Sequence, residues 1–105
     1  MSDSGPEPVM VIMQFDASDT AGLTSVLAKY VVLTRSEPGC RNVDLVSSVT
    51  TTDRLLVIEK WDSIDAQRVH FDSPVMVEMA QSCDGLLAKA PLIDLLEGIS
   101  MHDLA

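Results

Sequence analysis

Between Pro8 and Asp16 the chain carries Val9, Met10, Val11, Ile12, Met13 and Phe15, interrupted by Gln14. A run this short, and apolar on both alternating faces, reads as a strand buried on both sides. Ser18 and Asp19 are good helix caps. After them Leu23, Val26, Leu27, Tyr30 and Thr34 recur at helical spacing, which predicts a helix over 20–33. Glu37-Pro38-Gly39 breaks it, because proline cannot continue a helix and glycine tolerates positive φ. From Cys40 to Ser48, Val43, Leu45 and Ser47 alternate with Asn42, Asp44, Val46 and Ser48, a second strand. The polar stretch Thr50–Asp53 has hairpin length. Arg54 to Trp61 is the clearest strand, with Leu55, Val57, Glu59 and Trp61 on one face and Leu56, Ile58 and Lys60 on the other.

Asp62 or Ser63 caps a second helix, on which Ala66, Val69, His70 and Ser73 share a face taken as inward. Ser73-Pro74 is another start signal, serine as N-cap and proline at N1. Val75, Met76, Met79, Cys83 and Leu86 or Leu87 carry that helix inward until Asp84-Gly85 ends it. A last strand is expected over 91–101, with Ile93, Leu95, Ile99 and Met101 on one face.

The order β-α-β-β-α(α)-β predicts an α+β fold of the ferredoxin-like kind, a four-stranded antiparallel sheet with helices on one face. The expected organisation is a disordered lead-in over 1–8, one domain over 9–101 and a tail over 102–105 that holds a solvated His102. A sheet covered on one face should alternate apolar with polar. Strands one, three and four are instead apolar on both faces, and helices cover only one. Each large aliphatic left in water forgoes about 1.5–3 kcal/mol of burial. A homodimer packed sheet to sheet by two-fold symmetry is the expected remedy.

Charge and cysteines narrow the function classes. The 105 residues carry a formal net charge of −9, which repels phosphate backbones and anionic lipid, so neither nucleic acid nor membrane is an expected partner. No run approaches the roughly 20 apolar residues of a membrane span. The polar N-terminal stretch does not read as a signal peptide. Cys40 and Cys83 are then expected as free thiols in a reducing, cytoplasmic compartment, acting as small buried hydrophobes. No Cys-x-x-Cys, His-x-x-x-His or acidic cation loop suggests a metal.

Three short pieces carry a resemblance. Glu37-Pro38-Gly39-Cys40 lies between the first helix and second strand, Glu59-Lys60-Trp61 ends the third strand, and His70 follows on the next helix, just before Ser73-Pro74. This ordered set resembles the antibiotic biosynthesis monooxygenase family, dimeric α+β barrels that include quinol monooxygenases. The resemblance spans roughly 9–99. It implies sheet-to-sheet dimers and, in each subunit, a pocket between helices and sheet. Trp61, Glu59 and Val57 on one strand face and Met79 on the last helix are the expected substrate-binding residues. His70 is the expected catalytic base, since an imidazole titrates near neutral pH.

The implied reaction needs no cofactor. A small quinol-like or polycyclic phenol loses its proton, the anion reduces O2, and a peroxide forms that loses water to leave a quinone. The protein supplies a base, a dry pocket and orientation. Some members place an asparagine beside the tryptophan; here that face carries Leu55, Val57 and Glu59. The haem-degrading relatives use a histidine on the helix after the serine turn, and none occurs from Pro74 to Leu87. Taken by spacing alone, an inward histidine is more often structural, and a strand glutamate more often part of an ion pair. Two other functions fit the same fold: a non-catalytic dimeric module that binds or sequesters a hydrophobic small molecule in stress response, and an isomerase or lactone-processing enzyme using His70 as a proton shuttle.

Overall fold

The first strand, β1 (Val9–Asp16), alternates fully buried and half-buried side chains along its whole length. In a computed structural model that describes residues 7–101, it is an inner strand of a four-stranded sheet. It pairs with β3 (Arg54–Trp61) on one side and with β4 (Leu92–Glu97) on the other, while β2 (Cys40–Ser47) pairs with the outer side of β3; every pairing is antiparallel. One helix, α1 (Thr20–Thr34), joins β1 to β2, and two, α2 (Ile64–Phe71) and α3 (Pro74–Ser82), join β3 to β4. The strand order β2-β3-β1-β4 with these crossovers is the ferredoxin-like α+β arrangement that the hydrophobic pattern predicts. Most of the expected lead-in, residues 1–6, and the tail with His102 lie outside the described residues.

Local chemistry fixes each helix start. The Asp19 carboxylate accepts from the Gly22 amide, the Ser63 hydroxyl from the Ala66 amide, and the Ser73 hydroxyl from the Met76 amide. α1 buries Leu23, Leu27, Tyr30, Val31 and Thr34, one stripe at helical spacing. At its end the Arg35 guanidinium donates to the Val43 carbonyl at 3.1 and 3.3 Å, which ties the helix terminus to β2. The core lies between helices and sheet, where Val9, Val11, Met13 and Phe15 meet Val43, Leu55, Val57 and Trp61.

Two expectations about the elements are corrected. β4 stops at Glu97 and does not continue to Met101; Ile99 is fully exposed. Glu97 lies opposite Val9, the first residue of β1, and the Gly98 amide donates to the Pro8 carbonyl, so no partner strand extends further. Val69 is not on the inward face of α2 but 72% exposed. The Ser63 cap sets the helix phase so that Gln67 and His70, three apart, face the sheet, and Val69 lies about 100° round from His70.

The opposite sheet face is apolar at its centre. Met10 lies across from Leu96, Ile12 from Ile58, and Gln14 sits between Leu56 and Leu92. Among the described residues no helix lies over this face, and all six residues of β4 are exposed.

At the far end of β1, Asp16 accepts from Arg54 at 2.8 and 3.2 Å and pairs with Lys89 at 3.1 Å. The Arg54 hydrogen bond, with help from Lys89, lowers its carboxyl from 3.8 to about 2. Because the folded value lies below the unfolded one, the stabilisation is complete above the unfolded value and is lost as pH falls from about 4 towards 2. Urea midpoints measured across that window should fall for the wild type and change less for Asp16→Asn.

Candidate active site

The strand geometry of β3 places Glu59 and Trp61 on the helix-covered face, two residues apart. The Trp61 indole Nε1–H donates to Glu59 Oε1 at 3.0 Å. From α1, the Tyr30 hydroxyl hydrogen-bonds the other carboxylate oxygen, Glu59 Oε2, and lies 2.7 Å from His70 Nε2. His70 comes from α2, stacked on the Trp61 ring with centroids 4.7 Å apart and planes 28° apart. Its other ring nitrogen, Nδ1, meets Glu37 Oε1 at 3.3 Å. Three elements and a turn thus converge on one continuous polar chain, Glu37–His70–Tyr30–Glu59–Trp61.

That chain is almost entirely removed from water. Trp61, Glu59, Tyr30 and His70 are each no more than 2% exposed, whereas the Glu37 side chain is 25% exposed. Burial is tolerable because each polar group has a partner. Burial, and then the neighbouring Glu59, push the Tyr30 hydroxyl far above its ordinary range, so tyrosine holds its proton. The same two causes raise the Cys40 thiol to about 11, and burial raises that of Cys83. Neither cysteine is therefore poised as a thiolate.

Glu37 reaches His70 because the Glu-Pro-Gly turn folds tightly onto α2. Gly39 has φ +82°, and a Cβ there would stand 2.5 Å from the Ala66 Cβ. Both the left-handed backbone and the close approach require glycine. Gly39→Ala should lower stability by about 1–3 kcal/mol and weaken the Glu37–His70 contact, which urea unfolding and the His70 ring NMR signals would report.

A separate cavity of ≈ 480 Å³ lies between α3 and the sheet. Its wall is made by Met13 and Phe15 of β1, Phe71 of α2, Met76 and Met79 of α3, and Ile93 of β4, with Cys83 among the other lining residues. A smaller hollow of ≈ 200 Å³ between α1 and α3 is lined in part by Tyr30, Val75 and Met79, with the Lys29–Glu78 ion pair among its flanks. Met79 borders both spaces. Of the five residues singled out in the sequence, Met79 lines the large cavity. Trp61, Glu59 and His70 meet one another in the buried chain, and Val57 is buried beside Met13 in the strand register. Among the described residues, no three His, Cys, Asp or Glu side chains gather as metal ligands.

Tyr30 and Glu37 were not expected as site residues. Tyr30 reads in the sequence as one more core position of α1, although a buried tyrosine hydroxyl demands a partner. Glu37 reads as part of a turn and of the Glu-Pro-Gly-Cys motif, with no side-chain role in a site.

The antibiotic biosynthesis monooxygenase family model matches residues 8–82, most of the domain. The chain belongs to this family. Solved structures of other proteins share the fold. Rv0793 from Mycobacterium tuberculosis is 28% identical, with a TM-score of 0.84 over 91% of this chain and 99% of its own. PA3566 from Pseudomonas aeruginosa is 22% identical, with a TM-score of 0.82 over 93% of this chain and 100% of its own. A Caulobacter crescentus protein, named provisionally as an antibiotic biosynthesis monooxygenase, is 21% identical, with a TM-score of 0.81 over 90% of this chain and 92% of its own. No curated protein matches the chain.

Proposed function

We propose that this family member is a cofactor-independent monooxygenase that oxidises a quinol or polycyclic phenol with O2. The observation that carries the reading is a nearly all-apolar cavity bordered by Met79, which also borders the hollow lined by Tyr30 of the buried acid–base chain. Apolar walls favour a planar aromatic ring, and soft methionine side chains adapt to its shape. His70 is the base. It receives the phenolic proton by way of the Tyr30 hydroxyl, 2.7 Å from its Nε2; the phenolate passes one electron to O2; phenoxyl radical and superoxide combine at a ring carbon. The resulting peroxide takes up a proton, loses the ring hydrogen and releases water, leaving the quinone. One oxygen atom of O2 enters product and the other enters water.

Trp61 and Glu59 hold His70 in place by stacking on it and by bonding Tyr30. Val57 backs the cavity through its neighbour Met13, and Met79 touches the ring of the substrate. The active form is a homodimer in the cytoplasm. The uncovered sheet face with Ile12 and Ile58 supports the dimer, and two free thiols suit a reducing compartment. Among the described residues no helix is long and apolar enough to cross a membrane. Light scattering after size exclusion should give about twice the 11.4 kDa chain mass; a clean monomer at micromolar concentration contradicts the dimer.

A second reading has an observation of its own. Among the described residues, Cys83, its thiol pushed up by burial, is the only titratable group on the large cavity's wall, which suits a module that binds a hydrophobic molecule without turnover. Product analysis across reduced naphthoquinols and anthrone-like phenols, in air and without oxygen, separates the cases. Oxygen-dependent product supports the monooxygenase. Saturable binding without product supports the binding module, and product formed without oxygen supports an isomerase-type enzyme.

A further inference from the structure

The buried chain has a hydrogen count of its own. Three contacts link its members: Glu59 with Tyr30, Tyr30 with His70, and His70 with Glu37. Each contact needs one hydrogen between its two heavy atoms. A carboxylate only accepts, the tyrosine hydroxyl supplies one hydrogen, and a neutral imidazole supplies one more. Two hydrogens cannot serve three contacts, so the fully bonded chain carries a third.

With three hydrogens and a neutral ring, two arrangements keep every contact. In one, Glu59 donates to Tyr30, Tyr30 to His70 Nε2, and His70 Nδ1 to Glu37. In the other every donor is reversed: Glu37 donates to Nδ1, Nε2 to Tyr30, and Tyr30 to Glu59. They differ by one step of each hydrogen along the chain. The sum of the three steps moves one proton from the carboxyl of Glu59 to that of Glu37. Tyrosine and imidazole begin and end neutral, and the Trp61 bond to Glu59 Oε1 persists throughout.

We propose that Glu59, Tyr30, His70 and Glu37 form a proton relay between the buried interior and solvent, with Tyr30 and Glu37 as positioning residues for His70. The ends of the chain fit opposite roles. Glu59 is 1% exposed, while the Glu37 side chain is 25% exposed at a surface turn. Tyr30 also lines the hollow beside Met79, so the proton of a substrate can enter at the tyrosine. The elevated Tyr30 value agrees with a hydroxyl that passes hydrogens on without resting as a phenolate. Cys40 on β2 and the Thr34 hydroxyl on α1 stand near Tyr30, and Arg35 at the end of α1 and Asp62 after β3 stand near Cys40 in turn. The relay rests on the proposed reaction only for its purpose; the hydrogen count stands without it.

The test reads the ring nitrogens of His70 directly. The chain has two histidines, so His102→Gln leaves His70 as the reporter in nitrogen-15 NMR of histidine-labelled protein. Exchange between the two arrangements predicts that Nδ1 and Nε2 both resonate between the values of a bare and a hydrogen-bearing nitrogen. Glu37→Gln and Tyr30→Phe each cut the relay, and each should drive the ring to one fixed tautomer. A fixed tautomer or a fixed imidazolium in the wild type, unmoved by Glu37→Gln, overturns the relay. If Tyr30→Phe fails to fold by circular dichroism, the exposed-side variant Glu37→Gln decides alone. Averaged nitrogens without turnover of any phenol keep the relay and count against the oxygenase; turnover with a fixed tautomer does the reverse.

Discussion

Trp61→Ala should lower the unfolding free energy by about 3–5 kcal/mol, measured as a reduced urea midpoint. The indole is completely buried where β3 lies between β1 and β2, opposite Val9 and Cys40. Truncation removes a large apolar ring from the core and opens a cavity that the surrounding strands cannot collapse. It also takes the hydrogen-bond donor from Glu59 Oε1, which is buried, and the stacking surface from His70. Trp61→Phe separates these effects. It keeps most of the packing and removes the N–H, so it should cost about 1–3 kcal/mol, the range for a buried acceptor left unsatisfied. Equal losses for Phe and Ala would mean that the hydrogen bond, not the ring volume, holds this corner of the fold.

His70→Ala should reduce the turnover rate for a reactive phenol about 10²–10⁴-fold, the usual contribution of a positioned acid–base group. The effect should fall on kcat more than on KM, because His70 is absent from the cavity wall while Met79 is on it. Met79→Ala should show the opposite weighting. Rates must be referred to folded protein, since removing the imidazole also leaves Tyr30 and Glu37 without a partner. A variant that is folded and as fast as the wild type would remove His70 from the mechanism and leave the reaction itself standing.

The fold was largely legible because its signals are local. β1, α1 and β3 announce themselves by period, and Asp19, Ser63 and Ser73 mark helix starts by cap chemistry. Misreadings occurred where partners far along the chain decide. Ile99 and Met101 continue an apolar pattern, yet β4 ends because β1 begins at Val9 and offers nothing beyond it. Val69 looked inward beside His70, but the eight-residue α2 takes its phase from Ser63 and turns Gln67 inward instead.

The candidate site was half legible. Spacing placed Glu59 and Trp61 on one face, and the short connection brought His70 onto the indole. Tyr30 and Glu37 stayed hidden because their roles depend on α1 and the Gly39 turn closing over α2, a tertiary arrangement with no sequence period. The separation of the polar chain from the large cavity was equally invisible. Met79 carries no sign in the sequence that it borders both spaces.

Oxidation under isotope-labelled dioxygen tests cofactor-free oxygenation most directly. Protein dialysed against chelator, with no flavin or metal added, should convert an anthrone-like phenol faster than autoxidation and place one labelled oxygen in each quinone formed, the second atom appearing in water. Conversion no faster than autoxidation across the phenol panel, or a quinone whose new oxygen is unlabelled, would contradict it.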